Sequence, residues 1–329
     1  MKALFPGEHL FAAVLCSALA ACSGASSPTA DVEHATALVN GPEFYSSMPT
    51  APFQTKYRGQ RRLEFHFVQS GVDTVLEYRE EVGADGDGKF AIETLEVLSV
   101  LDDPDLFLIL QDNRQGFTYR YRDFRVRDLE LFNQNYSFVV VDGSTRVANT
   151  PCVQIRVQRR DNPVRYYTAD IHARSGLVLR WEEREIAADR LLGRMEFETF
   201  ELDADTSDMD LRDQLFPATP IDLGGDTGAQ VGFEVLQPAE LPAGFEVEIA
   251  ESFDDDLGQT WAKLVYTDGV DRIVYMHRAQ TLGDFPPDLM YLLPVGLWTA
   301  VFGDLNGYPL IVMGKVPERE LLDMIASTH

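Results

Sequence analysis

The sequence predicts a mainly β (α+β) fold dominated by antiparallel sheet, on three observations. Apolar and polar residues alternate with period two in several runs: Leu63, Phe65 and Phe67 against Glu64 and His66; Leu76 and Tyr78 against Glu77 and Arg79; Val153, Ile155 and Val157 against Gln154, Arg156 and Gln158. Short turn-forming clusters separate the runs, among them Gly83 to Gly88, Asn162-Pro163 and Ala173 to Gly176. A chain of 329 residues, 45% hydrophobic and 11% aromatic, can bury a sizeable core and by its length holds about two domains.

The chain opens on an apolar run from Leu10 to Ala21, too short to span a bilayer as a helix and of the length of a secretory h-region. Residues 1–21 read as a lipoprotein signal peptide, although Lys2 is the only basic residue before the run and Glu8 opposes it. Leu19-Ala20-Ala21-Cys22 has the form of a bacterial lipobox, in which small side chains fit the peptidase groove and the Cys22 thiol takes a diacylglyceryl group. An ordinary signal peptide with a chance cysteine is the alternative. Ser23 stands where an aspartate retains enteric-type lipoproteins in the inner membrane, which points to the outer membrane. Residues 22–53, rich at their start in Ser, Ala, Thr and Pro, form a lipidated N-terminus and flexible tether, with a short helix expected around Val32 to Leu38.

With Cys16 removed and Cys22 acylated, Cys152 remains alone, and no internal disulfide can form. It opens the alternating run C-V-Q-I-R-V-Q, as a small side chain at a strand start or as a reactive thiol.

After the strands around Leu63 and Leu76, the Asp85/Asp87 pair lies in a glycine turn that lacks the further ligands of a calcium loop, and a third strand follows from Lys89 to Val100. Asp103 and Pro104 mark a helix start, with Leu106, Phe107, Ile109 and Leu110 on its apolar face. Arg120, Arg122, Arg125 and Arg127, interleaved with Tyr119, Tyr121 and Phe124, form the one locally basic stretch. They meet an acidic partner or a lipid phosphate, or they pair within the chain. Pro151 to Leu202 gives a four-stranded meander. A turn-rich stretch, 217–230, is the expected linker. Beyond it come strands after Phe245, at Trp261 to Tyr266, Arg272 to His277, Leu297 to Phe302 and Tyr308 to Met313, with Gly283 to Pro294 read as a loop. A last helix opens at Val316-Pro317, with Leu321, Leu322 and Ile325 expected inward.

The formal charge of −25 repels phosphate backbones, which argues against nucleic-acid binding. No His spacing suits a metal, and no nucleophile elbow, P-loop or dinucleotide fingerprint occurs. No catalytic, metal or cofactor residues are therefore expected, and the chain reads as non-enzymatic. His66 and His277 fall in strand patterns as sheet residues.

The meander P-C-V-Q-I-R-V-Q-R-R-D-N-P-V-R-Y-Y-T-A-D-I-H-A-R-S-G-L-V-L-R-W-E, followed by M-E-F-E-T-F, resembles the N-terminal domain of the RseB/MucB family of envelope-stress regulators, itself similar to the lipoprotein carriers LolA and LolB. The landmarks L-P-A-G-F, Y-T-D-G and a hairpin followed by V-P and a helix resemble that family's C-terminal domain in the same order. His172 stands where the family often has an aspartate. The resemblance implies a curved antiparallel sheet or half-barrel with covering helices over residues 54–216, and a smaller α+β domain over 231–329. It implies an acyl or lipopolysaccharide-derived ligand on the concave face and an anti-sigma factor periplasmic domain as partner, in the Gram-negative envelope. Candidate cavity residues are Leu63, Phe65, Phe67, Leu76, Tyr78, Val153, Ile155, Leu177, Leu179 and Trp181; a plain packed core is the other reading. A LolA/LolB-type carrier and a structural envelope lipoprotein are the alternative functions.

Overall fold

The structure, a computed structural model, describes residues 45–69, 72–99, 123–141, 145–212, 218–255, 258–279, 291–295, 298–305 and 308–329. The expectations on Cys22, Val32 to Leu38, the helix after Asp103, Arg120 and Arg122 lie outside the described residues. The described residues fall into two compact units, one of 45–99 with 123–212 and the other of 218–329.

The first unit is built on nine strands: β1 (Lys56–Gln69), β2 (Val72–Asp85), β3 (Phe90–Val97), β4 (Tyr136–Val140), β5 (Thr145–Val147), β6 (Thr150–Arg159), β7 (Arg165–His172), β8 (Val178–Glu185) and β9 (Arg190–Leu202). They form one open antiparallel sheet, sheet A, in the order β3-β2-β1-β9-β8-β7-β6-β4, with β5 also on β6. The period-two runs are these strands. Helix α1 (Ala51–Gln54) and helix α2 (Leu129–Asn135) accompany the sheet. Asp128 caps α2 by accepting a hydrogen bond from the Leu131 N–H at 2.9 Å. Asp85 accepts from the N–H groups of Asp87 and Lys89, at 2.8 and 3.0 Å, which makes the glycine-rich segment a turn. Gly176 has a φ of +76°, and a Cβ there would collide with Ser47, so the β7–β8 turn requires glycine.

The second unit carries seven antiparallel strands, β10 (Ala218–Pro220), β11 (Glu246–Asp254), β12 (Thr260–Thr267), β13 (Arg272–Arg278), β14 (Tyr291–Val295), β15 (Trp298–Leu305) and β16 (Tyr308–Gly314), in the order β10-β11-β12-β13-β16-β15-β14. Both faces of this sheet B are apolar. One gathers Phe253, Trp261, Val265, Met276, Trp298 and Phe302. The other gathers Leu264, Tyr266, Tyr275 and Val312 against helix α4 (Glu318–Ala326).

Four expectations are corrected here. The end of the expected tether 22–53 is packed from residue 45 on: Tyr45, Met48 and Ala51 are buried, and Tyr45 lies against Phe132 and Phe138. The stretch 217–230 holds β10 and helix α3 (Thr227–Val231) rather than turns alone. Part of the expected loop Gly283 to Pro294 is the edge strand β14, where Pro294 is tolerated because an edge leaves one side of the ladder unused. The inward set of α4 lacked Met324, which is buried with Leu321; Leu322 and Ile325 pack against the same core as expected, partly buried.

Candidate ligand face of the nine-stranded sheet

Pairing registers place the candidate residues on one side of sheet A. Tyr78 lies opposite Leu63, Leu63 opposite Met195, Met195 opposite Trp181, Trp181 opposite Ala169, Ala169 opposite Ile155 and Ile155 opposite Val140. One row thus crosses seven strands, all on one face because facing residues of paired strands share a side. The adjacent row runs Leu76, Phe65, Gly193, Glu183, Tyr167, Val157 and Phe138. Phe67, Val153 and Leu179 share this phase along their strands. All ten candidates, Leu177 included, are buried, from 0% to 8% exposed. Phe65 sits 6.3 Å from both Tyr78 and Trp181 by ring centroids.

Residues outside the predicted set complete this face. Phe124 packs on Tyr167 with centroids 4.7 Å apart, and Phe132 of α2 packs on Phe138 at 5.8 Å. Arg125 and Arg127, expected as partner-facing cations, are 7% and 9% exposed. The Arg125 guanidinium lies 4.8 Å from the Phe53 ring centre, and Arg127 donates to the Asp123 carbonyl.

The alternation did not mark the charges that this face contains. Glu183, fully buried, stands within the second row and pairs with Arg165, Nη1 to Oε1 at 2.6 Å. Glu80 shares the phase of Leu76 and Tyr78, and Arg61 that of Leu63. Arg61 also bonds Asp123, Nη1 to Oδ2 at 2.7 Å, and stacks over Phe197 at 5.8 Å. The signal was in the sequence: each falls on the inward phase of its strand. Replacing a buried ion pair by apolar side chains of equal size is often neutral or stabilising, so these pairs are not what holds the face together.

The opposite face is an ion-pair mosaic. Arg58 clamps Glu81, Arg62 pairs with Glu77, Arg79 with Glu96 and Glu198, and Arg194 with Glu64. On the same side Asp170, 1% exposed, accepts from Thr145 Oγ1, Gln154 Nε2 and Arg180 Nε at 2.5, 3.1 and 2.6 Å. Cys152 is buried beside this cluster, and burial together with the Asp170 charge pushes its thiol up to about 12. Among the described residues no group of three or more His, Cys, Asp or Glu side chains stands ready to hold a metal ion.

Residues 104–215 match the family model described as the MucB/RseB N-terminal domain. No curated protein matches the chain. Among solved structures, the complex of Pseudomonas aeruginosa MucA/MucB is 19% identical, with 87% of this chain and 97% of that one covered and a TM-score of 0.48. A crystal structure of MucB is 17% identical over 93% of this chain and 99% of that one, also with a TM-score of 0.48. A putative outer membrane lipoprotein-sorting protein domain from Vibrio parahaemolyticus is 8% identical over 54% and 94%, with a TM-score of 0.19. From 104 to 215, the stretch that holds β4 to β9, the chain is MucB/RseB-like.

Proposed function

We propose that the chain is a non-enzymatic regulator of an envelope stress response, lipid-anchored through Cys22 and facing the periplasm from the outer membrane of a Gram-negative cell. It binds the periplasmic domain of an anti-sigma factor and takes a lipid or lipoprotein-derived ligand on the inner face of sheet A. Residues 54–216 act as the ligand domain, and the unit that begins at β10 acts as the second domain that such regulators use. The observation that carries this reading is the MucB/RseB match over residues 104–215. The inner face supports the ligand half: its first row, from Tyr78 through Leu63, Met195, Trp181 and Ala169 to Ile155, is buried and apolar and suits an acyl chain, each buried CH₂ of which contributes about 0.8 kcal/mol. Arg165, 24% exposed and paired with Glu183, is a cation beside it.

The test mixes the purified chain with the periplasmic domain of an anti-sigma factor from the same cell and follows the complex by size-exclusion chromatography and calorimetry. A stoichiometric complex is expected, and none at micromolar concentration overturns the reading. Native mass spectrometry of the chain made without Cys22 addresses the ligand separately. Retained lipid without an anti-sigma complex would instead indicate a LolA/LolB-type carrier.

A further inference from the structure

Strand β3 closes one edge of sheet A; its sequence, F-A-I-E-T-L-E-V, contains neither lysine nor proline, but a bulge at Leu95, the extra residue opposite Arg79 and Glu80, interrupts the ladder after Thr94, so the regular edge runs from Phe90 to Thr94. The edge has begun to accept a strand: Phe90 and Arg212 exchange both backbone hydrogen bonds across it, at 3.1 and 2.9 Å. By the alternation of an antiparallel ladder, Ile92 and Thr94 point their N–H and C=O groups outward in the same way as Phe90. Among the described residues these two have no strand beyond them. Thr94 Oγ1 is shielded from solvent and also lacks a hydrogen-bond partner there.

The side chains define what would fit. Leu95, the bulge residue that ends the regular edge, is 43% exposed, so a strand added as far as Thr94 meets apolar surface at its end. Glu93 lies directly opposite Glu81, a like-charge pair across the ladder, and Glu81 is already held by Arg58 at 3.0 and 3.2 Å. Glu93 is exposed and has no cation among the described residues.

We infer that β3 is a peptide-docking edge that adds a short extended segment of alternating apolar and cationic residues along Ile92 to Thr94, the regular stretch before the bulge at Leu95. Apolar side chains would continue the inner face, and a Lys or Arg opposite Glu93 would relieve its repulsion from Glu81. The inference rests on neither the lipid-ligand nor the anti-sigma reading.

The probe is a short blocked peptide alternating valine and lysine, titrated into the full chain by calorimetry, with amide exchange read at Ile92 and Thr94. Binding with new protection at both amides is expected. Thr94→Pro, which removes an outward N–H together with the Thr94 side chain, should weaken binding about tenfold, the scale of one or two backbone hydrogen bonds. Thr94→Val, which loses the hydroxyl but keeps the N–H, should bind the peptide as the parent chain does. A peptide N-methylated on its edge-facing amides should not bind, a result that needs no protein variant. Absence of binding, equal binding of a valine–glutamate peptide, or full affinity of the N-methylated peptide overturns the inference. Concentration-dependent protection of the same amides without peptide, which would mean self-pairing of β3, also overturns it.

Discussion

Arg61 and Glu80 face each other across β1 and β2 with 2.6 Å between Nε and Oε1, and at 3% and 0% exposure both lie within the apolar face of sheet A. Burial works against the Arg61 charge, but Asp123 and Glu80 outweigh it and hold the guanidinium above its ordinary value. Removing one partner of such a pair strands a charge in a poorly solvated place. Glu80→Ala should therefore cost about 3–5 kcal/mol in urea unfolding of the first unit. The triple variant Arg61→Met/Glu80→Leu/Asp123→Leu should recover most of that loss, since it removes both carboxylates that Arg61 holds along with the cation. A triple variant as unstable as the single one would mean that the ion-pair cluster contributes net stability.

Trp181 reports on the ligand face because it stands in the middle of the seven-strand row, fully buried and 6.3 Å from Phe65. Addition of palmitate to the full chain should change the intrinsic fluorescence, and Trp181→Phe should remove the change. Leu63→Ala, in the same row, should lower stability by about 2–5 kcal/mol through lost burial and a residual cavity. It should also weaken the palmitate response. A spectrum indifferent to saturating palmitate would take the lipid out of the proposed function and leave the protein partner standing.

Strands β1, β2, β6 and β8 were legible because each has one oily and one ionic side, so polarity reports orientation directly; β4 (YSFVV) and β5 (TRV) lack that alternation and were not expected. The inward charges escaped notice because charge was equated with the outer face; carrying the period from Leu76 and Tyr78 to Glu80, or from Leu179 and Trp181 to Glu183, places them inside. In sheet B the signal fails for a physical reason. Every residue of Arg272–Arg278, and all of Thr260–Thr267 after its first residue, is buried, so both faces are covered and alternation disappears. Turns and glycines marked those strands instead. Strand β14 was hidden by the prolines around it, and α2 by its shortness, seven residues with a cap but little period.

The β5–β6 hairpin turns on Ala148 and Asn149, with φ of +46° and +62°. Two consecutive residues at positive φ form the tight turn that matches strand twist, where Asn-Gly is preferred. Asn149 tolerates this region, but the Ala148 Cβ crowds the backbone. Ala148→Gly should relieve about 1 kcal/mol of this strain and raise the melting temperature of the first unit. Ala148→Val, branched at Cβ, should lower it. Equal melting temperatures for all three would show that the turn relaxes at no cost.

Two histidines, one in each unit, make stability depend on mild acid. Burial pushes His172 down to about 4, with Arg174 adding to the effect; its Nδ1 lies 2.8 Å from Ser175 Oγ. Burial likewise brings His277 down to about 4, and its Nε2 accepts the Leu236 N–H at 2.9 Å. Between pH 4 and the unfolded histidine value of about 6.5, the unfolded chain binds more protons than the folded one, so stability rises with pH across that window and is lost as pH falls through it. The loss approaches about 3 kcal/mol per histidine at the acid end. Each unit reports its own histidine: His172→Gln should flatten the acid limb of the first unit's unfolding midpoint, and His277→Gln that of the second. The His277→Gln chain should be less stable at neutral pH, because an amide does not reproduce the ring's edge contacts with Phe233, Tyr275 and Tyr308. An acid limb that survives both substitutions would assign it to the carboxylates of the outer ion-pair mosaic, whose linkage runs the same way with pH but sets in lower, near the ordinary carboxylate range.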